Sequence, residues 1–164
     1  NAPFECPWGG ESFQWFELTS IAPDKIGEGL KLAGPYLNFY IDSVCRNYNL
    51  SNEKIFFVGF SQGTMMALYH LCKRELKCGG LVGFSGLLFE DESFDKDVLS
   101  KFPITLYHGK NDEVINYEFT VKAHEKLSKL GFEINYNLSE LLGHGIDEKG
   151  ISIGESFIKK FFYI

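Results

Sequence analysis

Residues 55–63 read Ile-Phe-Phe-Val-Gly-Phe-Ser-Gln-Gly, and this stretch decides the fold. Residues 55–60 form a strand-length run that is apolar on both faces, which is typical of a parallel strand covered by helices on both sides. A helical pattern with Met65, Leu68 and Cys72 begins directly after Ser61. Gly59–Gly63 therefore matches G-x-S-x-G at a strand-to-helix turn, which is the setting of a nucleophile elbow.

The elbow makes Ser61 the candidate nucleophile. We expect glycine at 59 and 63 because a Cβ atom at either position would collide with the neighbouring strand and helix. A helix that starts just after Ser61 directs free N–H groups at the site, and these favour a developing oxyanion. Ser85, in Gly83-Phe84-Ser85-Gly86-Leu87, also ends a predicted strand, but it lacks the second glycine and a clear following helix.

Strands and helices alternate outward from the elbow. Further strands are predicted at 81–84, 104–107 and 132–138, and helices at 24–48, 61–77, 118–130 and 151–162. Gly34-Pro35 is expected to kink or split the first helix. The first dozen residues read as irregular, and 91–97 as a solvated loop or a short helix start. The alternation predicts an α/β fold with a mostly parallel sheet flanked by helices.

A serine nucleophile needs a base, and the base needs an orienting acid. In elbow hydrolases both follow the serine along the chain, on loops after later strands. Asp112 follows the strand at 104–107, and His144 lies in the loop after the strand at 132–138. These two residues are the predicted acid and base.

Other residues compete less well for these roles. His70 and His124 fall inside predicted helices, where packing or surface roles are expected, and His108 reads as structural because it directly follows a strand. Glu113 is a fallback acid beside Asp112. Acids of the polar segment also stay open as alternatives: Asp91, Asp95 and Asp97.

Length and composition limit the remaining possibilities. The 164 residues predict one domain over 1–164, and an aromatic content of 16% excludes intrinsic disorder. A net charge of −6 argues against a nucleic-acid partner, and no apolar run is long enough for a membrane span. The four cysteines lack the spacing of a zinc site and read as thiols of a reducing cytoplasm. The chain begins with Asn, which suggests a processed product or a fragment.

Several motifs in family order resemble the phospholipase/carboxylesterase family of α/β-hydrolases, which includes acyl-protein thioesterases. The matching stretches are Asn1-Ala2-Pro3, Trp15–Leu18, Gly59–Gly63, Phe84-Ser85-Gly86, His108–Asp112 and Gly143–Ile146. The resemblance implies Ser61 as nucleophile, Asp112 as acid, His144 as base and the Gln62 backbone N–H as an oxyanion donor. It implies no cofactor and no metal.

The sequence departs from the family pattern in two places. Glu113–Asn116 replaces the usual Pro-Val-Val-Pro, which is expected to loosen the loop after Asp112. The family's first strands and its Leu-His-Gly-x-Gly loop, which supplies a second oxyanion donor, are also missing. We therefore expect the C-terminal three-quarters of the usual domain and an exposed sheet edge.

The resemblance implies a serine esterase or thioesterase that acts through an acyl-enzyme on small esters, lysophospholipids or acylated proteins. The alternative is a truncated, catalytically impaired remnant that acts as a non-catalytic module. Apolar residues near the strand ends are candidates for an acyl pocket, with ordinary packing as the competing role: Trp15, Phe16, Leu87, Leu88 and Phe89.

Overall fold

The computed structural model describes residues 1–7, 9–18 and 21–162. Strands and helices alternate from residue 56 onward, as the sequence predicts. The strands are β1 (Phe4–Glu5), β2 (Phe13–Gln14), β3 (Phe56–Phe60), β4 (Gly80–Phe84), β5 (Ile104–Gly109) and β6 (Ile134–Ser139). The helices are α1 (Pro23–Tyr48), α2 (Gln62–His70), α3 (Phe94–Asp97), α4 (Glu118–Lys129) and α5 (Glu148–Phe162).

The main sheet has four parallel strands in the order β3-β4-β5-β6, which confirms the predicted parallel α/β arrangement. Phe60 pairs with Phe84, Phe84 with Tyr107, and Tyr107 with Asn137. The strands are parallel, so their carboxyl ends lie at one edge of the sheet. Open α/β sheets bind ligands at this edge.

Helices cover the two faces of the sheet unequally. One face packs on a large core that includes residues of α1, α2 and α4, such as Leu30, Met65 and Leu127. The other face packs on α5, where Phe157 joins Val82, Phe84 and Tyr107. This alternation follows from the strand period, because successive side chains point to opposite faces.

β3 differs from the prediction of a strand covered on both sides. It is the last strand at one side of the four-stranded sheet, and Val58 is 64% exposed. α5 packs against β4 and β5, and an apolar groove of about 580 Å³ lies between Val58, Phe84 and Ile158. The described residues therefore do not bury all of the apolar side chains of β3. Among the described residues, no strand pairs with β3 on the side away from β4.

Gly34-Pro35 was expected to kink or split the first helix, and the structure shows that Pro35 does not split α1. The helix runs from Pro23 to Tyr48 with Pro35 inside it. His70 Nε2 lies 2.8 Å from the Leu30 carbonyl, in the turn before Pro35, and the α2 side chain packs against Gly34. Packing against α2 stabilises α1 where the proline removes a backbone donor.

Smaller differences occur at the ends of elements. The N-terminal residues, predicted as irregular, include an antiparallel pair in which Phe4 is opposite Gln14. α2 ends at His70 and continues as a single 3-10 turn over Leu71–Lys73, so it is shorter than predicted. Among the described residues, no helix is both long and apolar enough to cross a membrane.

Candidate active site

Ser61 lies in a sharp turn between β3 and α2. Its backbone has φ 51° and ψ −115°, a conformation that costs a non-glycine residue about 1–3 kcal/mol. The Ser61 N–H donates to the Phe84 carbonyl at 2.9 Å, and the Ser61 carbonyl accepts from Met65 N–H at 3.1 Å. Bonds to the neighbouring strand and to the helix therefore hold the strained turn in place.

The two glycines of the elbow are not equivalent. A Cβ atom at Gly59 would lie 2.7 Å from the backbone of Gly63 and Thr64, so the predicted collision occurs there. A Cβ atom at Gly63 would meet no described atom within 4 Å, so the same prediction is wrong for that position. Strand β3 runs directly beneath the start of α2 at Gly59, whereas Gly63 faces open space.

Asp112 lies in the loop after β5 and its side chain is fully buried. Its Oδ1 accepts hydrogen bonds from the N–H groups of Val114 and Ile115 at 2.9 and 2.8 Å. Burial raises the pKa of Asp112, but hydrogen bonds from Ile115, His144 and Val114 outweigh burial and bring it below its usual range. Asp112 is therefore an ionised carboxylate at neutral pH.

His144 lies in the loop after β6, with Nδ1 2.8 Å from Asp112 Oδ2. A carboxylate only accepts hydrogen bonds, so Nδ1 is the donor of this bond, and in a neutral ring the lone pair is then on Nε2. The ring centroid of Phe60, the residue before Ser61, lies 4.9 Å from that of the imidazole, with the two ring planes tilted by 45°. The imidazole thus lies against the residue that precedes Ser61 in the elbow.

The loops that carry Asp112 and His144 are in direct contact. Asn111 N–H donates to the Leu142 carbonyl at 3.0 Å, and Gly109 lies against that carbonyl so closely that any Cβ would overlap it. The far end of the His144 loop is held by Asp147, which accepts from Tyr107 Oη at 3.0 Å and from Gly150 N–H at 2.8 Å. Glycine at 109 is required by this close approach.

His108, predicted to be structural, is fully buried and contacts the acid directly. Its Nε2 lies 3.0 Å from Asp112 Oδ2 and 2.8 Å from the Ile115 carbonyl. Its Nδ1 lies 2.7 Å from Thr120 Oγ1. Sequence reasoning missed this contact, because the residue pattern does not show how the loop after β5 folds back onto the strand.

The Gln62 side chain links the elbow to the N-terminal segment. Its Oε1 accepts from Trp15 N–H at 3.1 Å and its Nε2 donates to the Phe16 carbonyl at 2.9 Å. Beside this link, a cleft of about 450 Å³ adjoins Ser61. Its lining includes Phe13, Trp15, Leu18 and Phe60.

The candidate pocket residues fall in different places. Trp15 lines the cleft beside Ser61. Phe16 and Leu87 belong to the large core and are 2% and 4% exposed, so their positions fit the packing alternative. Leu88 and Phe89 are partly buried against the same core.

The competing candidates have other partners. Ser85 is 1% exposed and sits in its own positive-φ turn, so it is far less accessible than Ser61. His124 packs its ring 5.0 Å from that of Tyr136. The acids of 91–97 pair with lysines: Asp91 and Asp97 with Lys73, and Asp95 with Lys126. Glu113 is exposed.

Comparison with known proteins gives relatives from one family. The phospholipase/carboxylesterase family profile matches residues 1–162. Acyl-protein thioesterase 1 of Gibberella zeae is 25% identical over 89% of this chain, that of Candida albicans 34% over 68%, and that of Debaryomyces hansenii 29% over 88%. These matches span 67%, 52% and 65% of the relatives' own lengths.

Solved structures share the fold. The crystal structure of esterase PE8 superposes with a TM-score of 0.93 at 29% identity, covering 98% of this chain and 76% of that one. Arabidopsis thaliana SOBER1 superposes with a TM-score of 0.76 at 24% identity, covering 98% of this chain and 81% of that one. The four-stranded sheet and its helices are therefore a known arrangement.

Proposed function

This chain belongs to the phospholipase/carboxylesterase family of α/β-hydrolases, and from that premise we propose that it is a serine hydrolase of carboxylic esters or thioesters. The observation that carries the proposal is the strained Ser61 turn, whose neighbour Phe60 contacts His144, together with the Asp112–His144 hydrogen bond. All three residues follow parallel strands at one edge of the sheet. Nucleophile, base and orienting acid are the groups that acyl transfer requires.

In the proposed reaction, His144 Nε2 takes the Ser61 proton as Oγ attacks the acyl carbonyl carbon. Asp112 keeps the imidazole in the required tautomer and stabilises the imidazolium that forms. The imidazolium then protonates the leaving alcohol or thiol, which leaves an acyl-serine. Water attacks this ester with His144 again as base, and the carboxylic acid departs.

The Gln62 backbone N–H is the proposed oxyanion donor. Gln62 is the first residue of α2, so its N–H has no acceptor within the helix. The positive end of the helix dipole adds to the stabilisation of negative charge at this position. By the family resemblance, the second donor belongs to a Leu-His-Gly-x-Gly loop, a motif that residues 1–164 do not contain.

The cleft beside Ser61 is the proposed binding site for the apolar part of the substrate. Its aromatic lining, with Trp15 and Phe60, suits an acyl chain or an apolar leaving group. We propose small esters, lysophospholipids and S-acylated proteins as the substrate class. The four cysteines are free, which supports a reducing cytoplasm as the location.

Ester hydrolysis by the unmodified chain and by Ser61→Ala tests the proposal. We expect turnover of short- and medium-chain aryl esters and S-acyl thioesters, loss of at least about 10³-fold in Ser61→Ala, and Ser61-dependent labelling by a fluorophosphonate. A folded chain with neither turnover nor labelling would instead support the catalytically impaired remnant. Circular dichroism of both proteins provides the folding control.

A further inference from the structure

His108 is a buried ionisable group that the proposed mechanism does not use. It belongs to β5, is 0% exposed, and contacts both the proposed acid and the loop that follows it. Burial lowers the pKa of His108, so the ring is neutral at neutral pH. A neutral imidazole has one donor and one acceptor nitrogen, and the neighbours decide which is which.

The contacts of His108 define its tautomer. Nε2 lies 3.0 Å from a carboxylate oxygen of Asp112 and 2.8 Å from the Ile115 carbonyl, and both groups only accept. Nε2 therefore carries the hydrogen and shares it between them. Nδ1 is then the acceptor, and the Thr120 hydroxyl, 2.7 Å away, donates to it.

With this tautomer, four donors surround the Asp112 carboxylate. Val114 N–H and Ile115 N–H bind Oδ1, while His108 Nε2–H and His144 Nδ1–H bind Oδ2. Rotation of the carboxylate about its own axis would break bonds at both oxygens. Two bonds reach Oδ2. The one from His108 comes from strand β5, whereas the one from His144 comes from the loop after β6.

We propose that His108 is a positioning residue that holds Asp112 Oδ2 on His144 Nδ1–H. The inference rests on the proposed function, since it assigns His108 a part in the same site. A displacement of about 1 Å in a catalytic group can reduce the rate by about 10²-fold, so the orientation of this carboxylate matters.

A neutral donor suits this position better than a cation. Asp112 must keep its negative charge to stabilise the imidazolium that His144 becomes. A lysine or arginine at position 108 would neutralise part of that charge. The buried imidazole of His108, with Thr120 bound at Nδ1, fixes the position of the carboxylate and leaves its charge in place.

The matched variants His108→Gln and His108→Met test the role of the Nε2 donor. The two side chains have similar size and shape, and only glutamine carries an amide donor near the position of Nε2. We expect kcat of His108→Met to fall about 10- to 100-fold below that of His108→Gln, with KM values within about threefold. Equal kcat values in two folded variants would overturn the proposal.

Histidine-selective ¹⁵N NMR of the unmodified chain tests the same contact without turnover or substitution. We expect a neutral His108 with its hydrogen on Nε2 from pH 7 to pH 8. The opposite tautomer, or an imidazolium in this range, would overturn the proposal even if His108→Met does not fold. Failure of the proposed function is recognised separately, as the absence of Ser61-dependent turnover in the unmodified chain.

Discussion

Ser61 shows how one residue can depend on the absence of a side chain at another. Its positive φ turns the chain from β3 into α2, and this reversal brings the backbone of Gly63 and Thr64 over Gly59. The strain at Ser61 is tolerated because backbone bonds from Phe84 and Met65 hold the turn. The elbow therefore needs glycine on the strand side, at Gly59.

The pair Gly59→Ala and Gly63→Ala tests this asymmetry. Gly59→Ala is expected to lower the free energy of unfolding by about 1–3 kcal/mol, because its Cβ meets backbone that cannot move aside. Gly63→Ala is expected to leave it unchanged or raise it by up to about 1 kcal/mol, as for glycine replaced in a helix. Urea unfolding of both variants measures the difference. Equal destabilisation would contradict this explanation.

Sequence reasoning predicted where the candidate site residues lie in the fold better than it predicted their surroundings. Strand ends predicted where Asp112 and His144 would lie, and the structure brings the two into contact. The contact between His108 and Asp112 escaped prediction because the pattern does not show how the loop after β5 folds back. The open space at Gly63 was not predicted because it depends on which residues pack near α2.

At the scale of elements, the segment before α1 depends on the elbow for its position. Gln62 forms two hydrogen bonds with the backbone of Trp15 and Phe16, and Trp15 lines the proposed substrate cleft. The side chain that follows the proposed nucleophile therefore holds one wall of the cleft. These bonds use only the side chain of Gln62, so its backbone N–H stays free for the proposed oxyanion role.

Gln62→Met removes both bonds while it preserves the shape of the side chain. Trp15 N–H is expected to exchange with deuterium about 3- to 10-fold faster, since one net hydrogen bond contributes about 0.5–1.5 kcal/mol. Gln14→Met is the matched control, because Gln14 bonds to the Glu5 carbonyl and not to the elbow. Unchanged protection of Trp15 in Gln62→Met would show that the link does not hold the segment.

Element types were more predictable than element surroundings. The 3.6-residue pattern of apolar residues was strong enough to predict that α1 is a helix. The pattern could not show that His70 of α2 would stabilise this helix near Pro35. The apolar run of β3 correctly predicted a strand. The exposure of Val58 depends on which helices and strands pack beside β3, and the local sequence pattern does not contain that information.

Across the whole molecule, buried or bonded ionisable groups make stability depend on pH. Burial lowers the pKa values of His70 and His108. Burial raises the pKa of Asp91, but hydrogen bonds from Tyr69, Ser93 and Lys31 outweigh burial and lower it to about 2. In each case the unfolded chain binds protons at a higher pH than the folded chain, so acid favours unfolding.

We expect the free energy of unfolding to decline in two stages as the pH falls. The histidines begin to reduce it below about pH 6.5, where they protonate in the unfolded chain. Asp91 and Asp112 reduce it further from about pH 4 toward pH 2. Urea unfolding from pH 8 to pH 2 measures this profile. Asp91→Asn should flatten the second stage, whereas Glu92→Gln, at an exposed neighbour, should not; equal slopes would contradict the assignment to Asp91.

The strand order of the sheet has a consequence for how the protein is made. The order β3-β4-β5-β6 is also the order in the chain, so each strand docks beside the one synthesised just before it. Ser61, Asp112 and His144 follow the first, third and last of these strands. On the ribosome, the sheet can therefore grow while the site stays incomplete. The nascent chain carries the proposed nucleophile long before the proposed base, and the two meet only when β6 has joined the sheet.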